Sequence, residues 1–440
     1  MGTAFVRHAS PRVGRRLAAA AVLVLLAAGA GQAETVKEAV ERALASNPEA
    51  LTAEANRRAA GQGLNQARGG FFPTLDLRAE GGPEYTKSPI FSGSRSLNRR
   101  DGSLTLRQYL FDGFQVTYEV ERQTSLVSSA TWKVAETRLS LTQRVVNAYL
   151  DVLRNEELVR LARETVKAHE AHVEKTRLRL TQGVGPKADV QQAEGRLALA
   201  TATLVNQEGD LRESRTAYFR LVGRMPEAPV KPPSPSGALP PSIKQALEKA
   251  AAEHPTLKAA QSDVDAAESA AAGSKGTLVP RLDLELNADH NVDVSGIAGT
   301  RNDASAQLVM RYNLFRGGAD LARTRQLAEL QRSAEETLNN ARRVVEEEVG
   351  RSWTALNTAR EALTHLAQRA RFSAEVLEAY RSQFELGRRT LIDLLNAENE
   401  LFQAKSGLSN GEYAVLQSEH RVLASTGELV GVLGVPRNSP

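Results

Sequence analysis

The chain repeats itself. The stretch GVGPKADVQQAEGRLAL from Gly183 returns as GRRTLIDLLNAENELF, Gly387 to Phe402, and adding 204 carries Gly183 onto Gly387, Asp189 onto Asp393, Glu194 onto Glu398 and Leu197 onto Leu401. Apolar residues recur at every seventh position on both sides. Upstream they run Val145, Val152, Val159, Val166, Val173, Leu180, and in the second copy Val349, Leu356, Leu363, Ala370, Leu377, Phe384. Downstream, Val190, Leu197, Leu204, Leu211 and Tyr218 are answered by Leu394, Leu401, Leu408, Val415 and Val422. An apolar seam of strict period seven drifts on a 3.6-residue turn, so such helices must coil left-handedly around neighbours to keep it buried. Each copy therefore predicts two long helices joined at a glycine-marked turn, and the register kept over two arms and two copies marks a repeat architecture.

Composition suits this reading. Of 440 residues only 5% are aromatic, and none is cysteine. That favours long, thin helical packing over a thick globular core. It also excludes disulfides, cysteine-ligated metals, thiol nucleophiles and a lipid-anchored cysteine at a mature N-terminus.

Residues 1–33 read as a signal peptide. Arg7, Arg12, Arg15 and Arg16 precede an apolar run from Leu17 to about Gly29, and Gly31-Gln32-Ala33 offers small residues at the cleavage-selective positions. The run falls short of the roughly 20 apolar residues of a spanning helix. Without those four arginines the 56 basic residues balance the 52 acidic ones, so the formal +4 belongs to the leader and no nucleic-acid partner is indicated.

The mature chain divides into a first repeat at 34–225, a proline-rich linker at 226–241, a second repeat at 242–436 and a short tail at 437–440. Helical periodicity from Val36 to about Arg68, interrupted at Ser46-Asn47-Pro48, stops at Phe71-Phe72-Pro73. Leu75, Leu77 and Ala79 then alternate with Asp76, Arg78 and Glu80, the period of a strand. Gly81 to Gly102 reads as a loop, and a second strand runs from Leu104 to about Phe111. No proline or glycine interrupts Phe114 to Thr181, which predicts one helix of about 100 Å. Another helix follows from about Lys187 to Leu221. With an offset of 207, Pro48 is answered by Pro255, Pro73 by Pro280, and the LDL at Leu75 by the LDL at Leu282.

Two short hairpins cannot close a barrel, for which about eight strands is the practical minimum. Other copies of the chain must complete them. Alternating apolar and charged positions suit a wall with lipid on one side and water on the other, although half-buried soluble sheets alternate in the same way.

A leader, two similar halves each ordered helix, hairpin, long helix, turn, helix, and the segment GRRTLIDLLNAENELF together resemble the TolC-like family of outer-membrane export channels. The resemblance implies a mainly α protein with a transmembrane β-barrel: a homotrimer with a twelve-strand barrel in the outer membrane of a Gram-negative bacterium. A coiled α-barrel of twelve helices would continue it into the periplasm. It also implies that Gly183, Val184, Gly185, Gly387 and Arg388 form periplasmic tips where an adaptor (membrane fusion) protein docks. An inner-membrane ABC transporter, or a proton-driven pump, would supply the energy. The periplasmic gate would involve Asp393, Asn396, Asp189, Arg389 and Phe384. Asn396 stands where similar channels carry a second aspartate, and Phe384 where they carry a tyrosine. Asp189 and Arg389 match positions that link neighbouring coils in the closed state. Asp393 equally fits a first-turn carboxylate favoured by the helix dipole.

The segment AYLDVLRNEELVRLA, Ala148 to Ala162, is most similar to the branch serving type I protein secretion, which implies exported protein cargo. A small-molecule efflux channel is the first alternative, and a periplasmic coiled-coil scaffold the second. No cofactor or enzyme is indicated: Gly183-Val184-Gly185 lacks the ending of a phosphate loop, and His169 with His172 lacks both the zinc-protease spacing and a third ligand, so solvated helix surface is expected there.

Overall fold

The computed structural model describes residues 34–90 and 92–436; the expected signal peptide and the last four residues lie outside them. Thr35 opens the first helix, α1 (Val36–Ser46), with a capping box in which its hydroxyl accepts from the Glu38 N–H while the Glu38 carboxylate accepts from its own. Asn47 caps α2 (Pro48–Gly69), whose first position is a proline. Strands β1 (Thr74–Lys87) and β2 (Ser94–Phe111) lead to α3 (Gln115–Thr181) and α4 (Lys187–Val222). The second half repeats the order: α5 (Ile243–Glu253), α6 (Pro255–Ser274), β3 (Arg281–Val292), β4 (Thr300–Arg311), α7 (Ala319–Glu385), α8 (Leu391–Ser425) and the short α9 (Leu429–Val432). Both α3 and α7 run for 67 residues.

The strands form one antiparallel sheet in the order β1-β2-β3-β4. The first hairpin is longer than its sequence suggests. Gly81, Gly82 and Pro83 were expected in a loop but pair with Arg100, Arg99 and Asn98. Proline and glycine are tolerated because β1 lies at an edge of the sheet, where one side of the strand makes no ladder within the chain. Register places Leu75 opposite Leu106, Leu77 opposite Leu104, Leu106 opposite Leu286 and Leu284 opposite Leu308. One face is therefore apolar across all four strands. The other is a charge network in which Arg107 and Arg311 reach Glu285 at 2.9 and 2.6 Å, and Arg281 and Arg311 grip the buried Asp283. Both outer strands, β1 and β4, remain unpaired on one side among the described residues.

Four helical columns stand side by side below the sheet. The first is α2 and α4 stacked end to end, followed by α3, then α6 and α8 stacked in the same way, then α7. The first splice is made by Asn47, whose side-chain amide donates to the Leu221 carbonyl at 3.0 Å. The heptad positions face inward: Val145, Val152, Val159 and Val173 are buried on α3, as are Val349, Leu356 and Leu377 on α7. The main core sits where α1, α3, α4, α8 and α9 meet, around the fully buried Tyr149. Its hydroxyl donates toward the backbone carbonyl oxygens of Glu34 and Val230, fastening the linker to α3. Among the described residues no helix is long and apolar enough to cross a membrane.

Candidate functional site at the helical tips

Both long helices end in the same cap. The Val184 N–H donates to the Arg179 carbonyl at 2.9 Å and the Arg388 N–H to the Gln383 carbonyl at 2.9 Å, each across a glycine of positive φ, +74° at Gly183 and +72° at Gly387. This is the Schellman closure, which favours glycine because the left-handed conformation penalises a β-carbon. Gly183, Val184, Gly387 and Arg388 are exposed at the end of the column farthest from the sheet, with Gly185 partly covered.

The helices beyond the turns start differently. Thr390 caps α8 in a box with Asp393, its hydroxyl donating to the carboxylate at 2.8 Å and its N–H at 3.3 Å. These hydrogen bonds, and the Arg389 charge 3.9 Å away, hold the Asp393 carboxyl below the usual carboxylate range. Its counterpart Asp189 follows Pro186, which offers no hydroxyl and makes no side-chain cap. The two residues expected to link, Asp189 and Arg389, share no ion pair or hydrogen bond among the described residues. Arg389 instead donates to Gln383 Oε1 at 2.9 Å and lies 4.2 Å from the Tyr380 ring centroid. Phe384 sits between two small cores, one with Val173, Ala193 and Leu391, the other with Leu377 and Leu394. The Arg179 guanidinium lies 5.4 Å from its ring centroid.

Asn396 accepts from Arg196 at 2.7 Å, joining α8 to α4. Near it runs a polar chain that the sequence reading missed. Glu398, buried on α8, accepts from Arg381 of α7 at 3.0 Å and lies 3.3 Å from His172 Nε2 of α3. Burial pushes the Glu398 carboxyl up, but the His172 and Arg381 hydrogen bonds outweigh it and the net shift is downward. Lys175 of α3 reaches Glu385 at 3.4 Å. The histidines are therefore not solvated helix surface: His169 is only 3% exposed and lines a small cavity with Arg196, Asn399 and Phe402. Helices α4 and α8 cover this stretch of α3, which spacing along one helix does not reveal. The one available signal was the repeat itself, since Arg177 with Glu194 and Arg381 with Glu398 are the same ion pair in the two copies. Among the described residues no group of three or more histidine or carboxylate side chains is placed to hold a metal.

A family model for outer membrane efflux proteins matches residues 39–224 and again 246–428. The chain belongs to the outer membrane efflux protein family. It is 26% identical over 419 residues to the outer membrane efflux protein BepC of Brucella suis, covering 94% of this chain and 91% of that protein. Outer membrane protein TolC of Escherichia coli is 25% identical over 429 residues, 90% of this chain and 83% of its own length. Proteases secretion protein PrtF of Dickeya chrysanthemi is 23% identical over 413 residues, 90% and 89%. Among solved structures, the outer-membrane channel OprN superposes with a TM-score of 0.77 at 20% identity, over 89% of this chain and 90% of that one. The Campylobacter jejuni CmeC outer membrane channel gives 0.78 at 14%, over 90% and 86%. The fold is thus that of the TolC-like channels, as the resemblance implied, and this efflux-family protein resides in the outer membrane of a Gram-negative bacterium. Members are transport channels, and components of tripartite systems that include a periplasmic adaptor and an inner-membrane transporter.

Proposed function

We propose that three copies of this efflux-family chain close into one barrel and one helical tunnel, forming a passive duct for protein export in a type I secretion system. The observation that carries the reading is the single four-stranded sheet, apolar on one face and charged on the other, with both edges free and each continuous with an outer helical column. An unpaired strand edge in hydrocarbon leaves backbone groups without partners at several kcal/mol each, so joining β4 of one copy to β1 of the next removes the cost for all three. The glycine turns would then ring the periplasmic mouth and receive the adaptor. Asp393, Asn396, Asp189, Arg389 and Phe384 would line or brace its constriction.

Protein cargo is favoured by relatives whose names are those of protease secretion components, PrtF and the alkaline protease secretion protein AprF of Pseudomonas aeruginosa. The absence of cysteine, and hence of a lipid anchor, agrees. Small-molecule efflux is the second reading, supported by the name of BepC. Quantitative proteomics of culture medium from a deletion strain, beside its sensitivity to toxic compounds, tests the choice. Loss of one or a few large secreted polypeptides, restored by the gene on a plasmid, is expected. Unchanged secretion with heightened drug sensitivity would assign the duct to efflux.

A further inference from the structure

The alternation along the strands has two exceptions. On all four strands the charged residues stand on the face away from Leu77, Leu104, Leu286 and Leu308, save Lys87 of β1 and Arg100 of β2. Unbroken register puts these two on the apolar face itself: Arg100 pairs with Gly81 and with Val292, and Lys87 pairs with Ser94. Both are exposed, and neither side chain has an ion-pair or hydrogen-bond partner among the described residues. No acidic residue of the strands shares that face.

Arg100 marks a boundary. Along β2 the face reads Leu106, Leu104, Gly102, then Arg100, then Asn98, Ser96 and Ser94, apolar below the arginine and polar above it. Strands β3 and β4 end level with it, at Val292 and Thr300. Exposed aromatic side chains at the helical end of the sheet, Phe72, Phe111 and Phe315, mark the other boundary. From Phe111 to Arg100, paired on β3 with Leu282 and Val292, the strands rise about 34 Å, which at the tilt of about 35–45° in membrane barrels is about 24–28 Å of height. The apolar band of such a barrel is about 25 Å tall. In a barrel, Arg100 therefore stands where hydrocarbon gives way to headgroups, on the side of the membrane away from the helices.

The surroundings leave room for a headgroup. Gly81 across the ladder and Gly102 next along β2 carry no side chain, and a β-carbon at either would meet nothing nearer than a backbone oxygen, at 3.6 and 3.8 Å. Beside them the exposed His290 is held by Asn302, Nδ1 to Oδ1 at 2.6 Å. A guanidinium matches phosphate with two parallel hydrogen bonds, and an arginine left facing lipid without such a partner is costly.

We infer that Arg100, with His290 beside it and Lys87 farther up the hairpin, binds the phosphate of a phosphorylated glycolipid in the outer leaflet. Its acyl chains lie along the leucines below, and Asn98, Ser96 and Ser94 stand where its sugars reach. The inference rests on the reading above that this face of the sheet meets lipid.

The test is a titration of the delipidated, processed protein in mild detergent, followed by native mass spectrometry, which reads subunit number and bound lipid together. The probes are a phosphorylated lipid A-type glycolipid, the same lipid stripped of phosphate, and inorganic phosphate. Arg100→Gln is expected to weaken binding of the phosphorylated lipid at least about fivefold, the loss of one charge-assisted contact. Arg301→Gln removes an arginine at the same height on the charged face, where it pairs with Asp303 at 2.7 Å, and should change binding less than about twofold. The stripped lipid should bind the unsubstituted protein and Arg100→Gln alike. Equal weakening by the two substitutions, or no preference for the phosphorylated lipid, in a detergent-dependent oligomer would overturn the inference alone. So would inorganic phosphate binding as tightly as the lipid, because the leucine face would then contribute nothing. A water-soluble monomer that binds no lipid would overturn the membrane reading with it.

Discussion

The Asn47 side chain uses both its ends, accepting from the Glu49 N–H at 2.9 Å and donating to the Leu221 carbonyl at 3.0 Å. One residue thus caps α2 and binds the end of α4 beneath it, so two helices act as one column as tall as α3. Asn47→Ala removes the cap and leaves a buried carbonyl unpaired, which is expected to cost about 1–3 kcal/mol. A lower midpoint in denaturant titration of the detergent-solubilised protein checks this. An unchanged midpoint would mean that the columns are held by side-chain packing alone.

Acid should loosen the helical part before it affects the carboxylates. His169, His254 and His420 are held below the ordinary histidine range, in each case chiefly by burial, with the charge of His172 adding to it at His169. The unfolded chain therefore binds more protons. The stability that comes from their staying neutral is full above the ordinary histidine value of about 6.5 and is lost as pH falls through it. The shift at Glu398 is also downward, so its contribution is lost only at pH values below that window. The thermal midpoint is expected to fall between pH 7.5 and 5.5, and His169→Leu should flatten that slope. A slope unchanged by the substitution would contradict the assignment.

Equivalent glycines should differ in what they protect. Gly113 has φ +70° and no room beside Gly276, so Gly113→Ala is expected to destabilise the chain itself by about 1–3 kcal/mol. At Gly317 φ is +61° but the surroundings are open. The positive φ strains a β-carbon at either glycine, but Gly317→Ala meets no atom of its own chain and should therefore cost the chain less than Gly113→Ala. In a ring the repeat places its crossing between copies, so it should lower the fraction of heat-modifiable trimer on gels far more than the helical circular dichroism of the solubilised protein. Equal loss of both signals would remove the distinction.

Much of this fold can be read directly from the chain because its strongest signals are periodic. The heptads ending at Leu180 and Phe384 place α3 and α7 almost to the residue, and alternation at Leu75 and Leu282 locates the strands. The length of the first hairpin was hidden, because Gly81, Gly82 and Pro83 break soluble strands but are tolerated at an edge. The tips were legible as paired glycines. The side chains behind them were less so, since His172 and Glu398 lie 226 positions apart and meet only through packing that no local period encodes. Asp393, expected at a constriction, has its carboxylate drawn into the Thr390 cap. That use is local, and the sequence Thr390-Leu391-Ile392-Asp393 does announce it.

A closed duct requires copies of the chain to share their sheets. The molar mass of the protein extracted from outer membranes in mild detergent, by light scattering corrected for bound detergent, tests this most directly. A protein mass about three times that of the processed chain is predicted, since a trimer is what the resemblance and the free strand edges imply. A single-chain mass, in protein that stays in solution without detergent, would contradict it.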